Sequence, residues 1–180
     1  MVGLNADELI DLLGTGVGYP LSPGSGVSQL DHALQTARLL RRLHPGDPEL
    51  AVAGLVHDVG QLLPGGRDET HAEDAAAAVY EALGERVAGI VGLHVEAKRY
   101  LVAVESGYGG VLSSDSVTSL GRQGGAMGPE EVAAFLALPF ASDAVSLRRA
   151  DDQGKDEDDV AVVGPGELGR WAAELRPRRR

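Results

Sequence analysis

Residues 53–60 read Ala53-Gly54-Leu55-Val56-His57-Asp58-Val59-Gly60. An imidazole and a carboxylate stand side by side in an otherwise apolar run. Buried polar groups need hydrogen-bond partners, and a buried charge is paired or held by a cation. Neighbouring helical residues diverge by about 100°, so both side chains reach one cation only near a helix end or at a wide cluster. The helix carrying this pair ends within a few residues, at Gly60 or Leu63. Nitrogen plus carboxylate suits Fe, Mn, Zn, Ni or Co better than Ca, and one carboxylate can bridge two metals. The same two letters also suit a core histidine satisfied by its neighbours.

Outward from this pair the chain reads as helices. Pro48 starts a helix over 48–62, with proline in its first turn. Before it, Ser28 opens a helix with apolar Leu30, Ala33, Leu34, Ala37 and Leu40, a helical spacing. It stops ahead of His44-Pro45-Gly46-Asp47-Pro48, a turn that leaves His44 facing solvent. A first helix covers 5–13 with Asn5 as N-cap, and a loop over 14–26 follows it. Downstream, Thr70 or Asp68 caps a helix over 71–83 that Gly84 closes. Helices over 85–94 and 96–105 come next, and 106–128 is Gly- and Ser-rich with a helical turn over 115–121. Pro129 starts a helix to 138, and Pro139 or Ser142 starts one ending near Lys155. The acidic segment 156–159 is a solvated loop, a short helix covers 167–175, and Arg176-Pro177-Arg178-Arg179-Arg180 is a frayed tail. No stretch alternates as a strand would. The fold class is all-α.

With 180 residues, the chain fits a single domain over 1–180. A net charge of −11 disfavours nucleic acid as a partner. No apolar run approaches the roughly 18 residues of a membrane span, and no leader pattern opens the chain. The expectation is a soluble cytoplasmic protein with no membrane partner. Cysteine is absent, which removes thiolate chemistry and disulfides. Any nitrogen-ligated metal chemistry falls to the five histidines.

Three of these histidines, His32, His57 and His94, interrupt apolar helices. Each alone suits a core histidine; three together with His57-Asp58 point to a metal centre. A further carboxylate comes from Leu147-Arg148-Arg149-Ala150-Asp151-Asp152. Asp151 either turns inward or belongs to an ordinary helix end. Arg148 and Lys155 lie three residues before and four after it, on one side of that helix. His94 and Lys98 share a face at i, i+4, which offers a ligand beside a cation or a core histidine beside a solvated lysine. The stretch Ser113-Ser114-Asp115-Ser116-Val117-Thr118-Ser119-Leu120 offers hydroxyls and helix-start amides to an anion, or else a flexible loop.

The ordered series His32, His57-Asp58, His71, His94, Asp151 resembles the HD-domain superfamily, an all-helical metal scaffold. Longer stretches resemble its PhnZ-type mixed-valence di-iron phosphonate oxygenases. They are Val27-Ser28-Gln29-Leu30-Asp31-His32-Ala33-Leu34-Gln35-Thr36-Ala37, His94-Val95-Glu96-Ala97-Lys98-Arg99-Tyr100-Leu101, Ser116-Val117-Thr118-Ser119-Leu120 with Gln123-Gly124-Gly125-Ala126-Met127, and residues 147–155. The resemblance spans 19–155.

The resemblance implies an HD-domain bundle with a buried dinuclear site holding two Fe ions, Fe(II) and Fe(III). His32, His57, Asp58 and Asp151 would hold one ion, and Asp58 would bridge to a second held by His71 and His94. Lys98, Ser116, Ser119, Gln123 and Arg148 fall where this family grips phosphonate oxygens. The implied reaction is O2-dependent cleavage of the C–P bond of a small 1-hydroxyalkylphosphonate, giving phosphate and a carboxylate. Two other readings share the skeleton: a phosphohydrolase of a phosphate ester or nucleotide using Mn, Ni, Co or Mg, and a metal- or phosphate-binding module without turnover. The chain departs from the family at two places. Gln61 stands where the family often has a substrate-positioning histidine. The approach Tyr19-Pro20-Leu21-Ser22-Pro23-Gly24-Ser25-Gly26 lacks the family's carboxylate, which argues against 2-amino-1-hydroxyethylphosphonate, while Tyr19 is retained as a lid ligand.

Overall fold

The computed structural model describes residues 3–158 together with Arg170, Trp171 and Leu175. The elements are α1 Ala6–Thr15, α2 Gln29–Leu43, α3 Pro48–Val56, α4 Val59–Leu62, α5 His71–Gly92, α6 His94–Val104, α7 Ser114–Arg122, α8 Pro129–Leu136 and α9 Ala141–Gln153. Among the described residues there is no strand, only an isolated bridge between Pro20 and Ser28. No described helix is long and apolar enough to cross a membrane.

Local chemistry sets most helix starts. Asn5 accepts from the amides of Asp7 and Glu8, and Glu8 returns a bond to the Asn5 amide, a reciprocal cap. Ser28 and Asp31 do the same for α2. Asp47 caps α3 through the Leu50 amide, with Pro48 in the first turn. α3 is buried on every side from Leu50 to Val56, as befits a central helix. It packs between α2 and α5, while α9 lies across α2 and α6. Leu34, Leu40, Leu55, Val56, Ile90 and Leu147 meet in the main core, and Trp171 and Leu175 close one side of it. A smaller cluster of Ala97, Met127, Phe135, Ala141 and Ala144 ties α6 to α8 and α9.

Three expectations change. The helix over 48–62 is two helices, broken at His57 and Asp58. The loop over 14–26 is shorter, because α1 runs on to Thr15 and a 3-10 turn follows over Gly16–Gly18. As expected, Gly84 closes the helical segment over 71–83: with φ +83 and ψ 178 it separates two helical segments of α5 that meet at a kink, a conformation open to glycine but not to side chains. Neither Thr70 nor Asp68 caps α5 with its side chain, since the Thr70 hydroxyl donates to Asp74 instead. The 3-10 turn Tyr108–Gly110 lies within the expected loop 106–128. The helix over 167–175 falls largely outside the described residues, as do Asp159 and the arginine tail.

Candidate metal centre

The helix break decides the geometry. His57 is the last helical residue after α3, and Asp58 has φ −103 and ψ 9 before α4 begins. The local change of direction lets two adjacent side chains turn to one interior point. Gly60 is the reason the next element comes close. A Cβ there would sit 2.0 Å from the His71 carbonyl oxygen, so only glycine admits the start of α5 beside Asp58.

Two clusters result. His32, His57 and Asp151 form one, and Asp58, His71 and His94 the other, with ligand atoms inside each within 4.8 Å of one another. Asp58 faces both. Its Oδ2 lies 3.5 Å from His57 Nε2 and 3.8 Å from His32 Nε2. Its Oδ1 lies 3.4 Å from His71 Nε2 and 3.6 Å from His94 Nε2. Asp151 Oδ1 lies 3.2 Å from His32 Nε2. The four histidines are buried.

Every imidazole is anchored through Nδ1. The acceptors are the carbonyls of Gly154 for His32, Gly54 for His57, Asp68 for His71 and Val91 for His94, at 2.7, 2.8, 2.7 and 2.7 Å. A carbonyl only accepts, so each Nδ1 carries hydrogen and each neutral ring turns an Nε2 lone pair inward. His32 and His57 then face each other at 3.2 Å, and His71 and His94 at 3.0 Å. Burial holds His57 below its ordinary value, and burial together with His71 and His57 pushes His94 down to about 3. Opposed lone pairs and a carboxylate whose ion-pair partners among the described residues are imidazoles alone constitute a divalent-metal donor set. The residues fit a metal cofactor.

The clusters open into a cavity of ≈ 380 Å³, a size for a small ligand. Lys98 and Arg148, both buried, line it with Ser116, Ser119 and Lys155. Lys98 Nζ donates to Ser119 Oγ at 2.7 Å. Burial, then the charge of Arg148, pushes Lys98 down to about 8. Arg148 Nη1 pairs with Asp151 Oδ2 at 2.7 Å. An acidic chain thus presents a cationic wall beside its metal donors.

Of the expected site residues, Gln123 and Tyr19 stand apart. Gln123 does not line the cavity; its Nε2 donates to the Asp68 carbonyl at 3.0 Å, behind His71. Tyr19 is 59% exposed and borders an adjoining depression with Gln61 rather than the cavity itself. Gln61 lines both spaces. Lys155 was absent from the sequence-derived anion set, yet its Nζ stands 3.3 Å from Asp151 Oδ1 and 3.5 Å from Ser116 Oγ. Its i+4 spacing from Asp151 was the available signal. Asp68 carried no such signal, because it acts through its backbone carbonyl.

A hydroxymethylphosphonate dioxygenase of Gimesia maris is 41% identical over 138 residues, covering 72% of this chain and 68% of the relative. A [1-hydroxy-2-(trimethylamino)ethyl]phosphonate dioxygenase (glycine-betaine-forming) of Leisingera caerulea is 33% identical over 144 residues, covering 75% and 72%. The HD domain family profile matches residues 30–137, which contain the adjacent His57-Asp58 pair and both flanking histidine helices. On sequence, fold and ligand geometry together, this chain belongs to the HD domain family.

Proposed function

We propose that this chain is a single-domain di-iron dioxygenase that cleaves the C–P bond of a small 1-hydroxyalkylphosphonate. The observation that carries this reading is Asp58, whose two oxygens face separate histidine clusters beside a buried lysine and arginine. The names of the two relatives support the phosphonate class and O2 as co-substrate. The balanced reaction is RCH(OH)PO3H2 + O2 → RCOOH + H3PO4: the C–H and C–P bonds of C1 break, carbon is oxidised and O2 is reduced.

His32, His57 and Asp151 would hold one iron, His71 and His94 the other, with Asp58 between them. The bound pair supplies O2 activation and a Lewis-acidic anchor for the substrate hydroxyl. The protein's own work is positioning. Lys98 and Arg148 would neutralise the phosphonate, Ser116 and Ser119 would donate to its oxygens, and Lys155 adds a third cation. Charge-assisted donors of this kind are the strong ones. The depression lined by Tyr19, Leu21, Ser22, Pro23, Gln29 and Gln61 contains no carboxylate, which disfavours 2-amino-1-hydroxyethylphosphonate there, while Asp68 and Asp115 line the adjoining cavity.

The test is turnover of iron-loaded protein with a panel of 1-hydroxyalkylphosphonates, with and without O2. One phosphate released per O2 consumed, and none anaerobically, is the expected result. The metal skeleton also suits a second reading, a phosphohydrolase, while Gln61 and the altered Tyr19 approach would permit a binding module. Anaerobic release of phosphate from phosphomonoesters with Mn or Ni would replace the first reading by the phosphohydrolase. Tight phosphate binding without turnover in either regime would leave a binding module.

A further inference from the structure

Arg148 is 4% exposed, and its Nε has no hydrogen-bond acceptor. Its guanidinium is therefore oriented by what its terminal nitrogens touch. Nη1 donates to Asp151 Oδ2 at 2.7 Å, but Asp151 is committed to the histidines through its other oxygen. Nη2 reaches Ser116 Oγ only at 3.5 Å. The remaining tie is an ion pair from Nη2 to Asp152 Oδ1. Asp152 in turn accepts from the Tyr108 hydroxyl on its second oxygen. Tyr108 is buried in the 3-10 turn between α6 and α7, a segment that supplies no metal donor and does not line the cavity.

We propose that Tyr108 and Asp152 are positioning residues, a two-member brace that aims the Arg148 fork at the bound oxyanion. The inference rests on the phosphonate-oxygenase reading above. Asp152 takes one edge of the guanidinium and Asp151 the other, so the group cannot rotate without breaking a charge-assisted bond. Tyr108 fixes Asp152 from the far side. Burial and the Asp152 carboxylate raise the phenol further above its ordinary value, so it remains a donor throughout the neutral range. The brace also makes the turn after α6 part of the site, although no side chain there touches substrate.

The experiment uses the iron-loaded full chain, with Tyr108→Phe as the main variant. Inorganic phosphate binding is measured by calorimetry, and kcat and KM with hydroxymethylphosphonate. We expect Kd and KM to rise about tenfold, with kcat changed less than about threefold and iron content unchanged. In an Arg148→Lys background, which lacks the planar fork, the same change should cost less than about twofold. Asp152→Asn should move Kd in the same direction and serves if Tyr108→Phe folds poorly. Unchanged Kd and KM in Tyr108→Phe would overturn the brace while leaving the proposed function standing. So would an equal loss in both Arg148 backgrounds, or a loss of iron that accounts for the effect. A wild-type protein that binds neither phosphate nor the phosphonate overturns the proposed function and the brace together.

Discussion

His71 Nε2 stands 3.0 Å from His94 Nε2 while both rings donate through Nδ1 to backbone carbonyls. Two lone pairs at this distance repel unless a cation lies between them. A metal ion held between them would add its binding free energy to folding stability.

Asp58→Ala removes the carboxylate that serves both clusters. Elemental analysis should show less than the wild-type metal content. Losing a ligand present at about a hundredfold its dissociation constant costs about 2.7 kcal/mol, so Tm should fall by roughly 5–10 °C. Metal content equal to wild type would remove Asp58 from the ligand set.

Lys98→Ala leaves the metal donors in place and deletes a buried cation. Phosphate binding by calorimetry should weaken about tenfold or more at pH 7, with metal content unchanged. In the wild type, the lysine is charged below about 8 and neutral above it. Phosphate affinity should therefore hold up to that pH and decline above it, and the decline should vanish in Lys98→Ala.

Gly60→Ala places a methyl group against the His71 carbonyl. The backbone must move, at about 1–3 kcal/mol by the usual cost of overpacking. The displaced residue is a candidate ligand, so metal loss from the Asp58–His71–His94 cluster should accompany the drop in Tm. An unaltered metal content and Tm would show that α4 and α5 part without consequence.

Far from the cavity, Arg86 joins Asp47 on the α2–α3 turn to Glu49 and to Asp143 of α9. Asp47 also caps α3. The Arg86 hydrogen bond lowers the Asp47 pKa, against the effect of burial. A depressed carboxyl contributes stability above its unfolded value of 3.8 and loses it as pH falls through the folded value. Asp47→Ala should cost about 1 kcal/mol near neutrality. Its acid-unfolding curve below pH about 4 should be flatter than that of the wild type.

Much of this was legible in the sequence where the physics is local. Asn5, Ser28 and Pro48 mark helix starts through bonds made within one turn, and the ordered histidines and aspartates converge in two clusters. What escaped the sequence was nonlocal. The break at His57 and Asp58 lies inside a continuous apolar run, whose periodicity does not register a short change of direction. Lys155 was visible as a neighbour of Asp151, but its place beside Ser116 depends on α7 folding over α9. Gln123 matched the resemblance and still points behind His71. Tyr108 sits in a Gly-rich loop that offers no periodic cue.

The anchoring of the imidazoles has a further consequence. His57, His71 and His94 each bond the carbonyl three positions earlier in the chain, so their tautomers are written in the path of the main chain rather than in neighbouring side chains. Point substitutions cannot delete such an acceptor. Surrounding residues are thus free to diversify and alter which molecule is received, while the chelating nitrogens keep their aim.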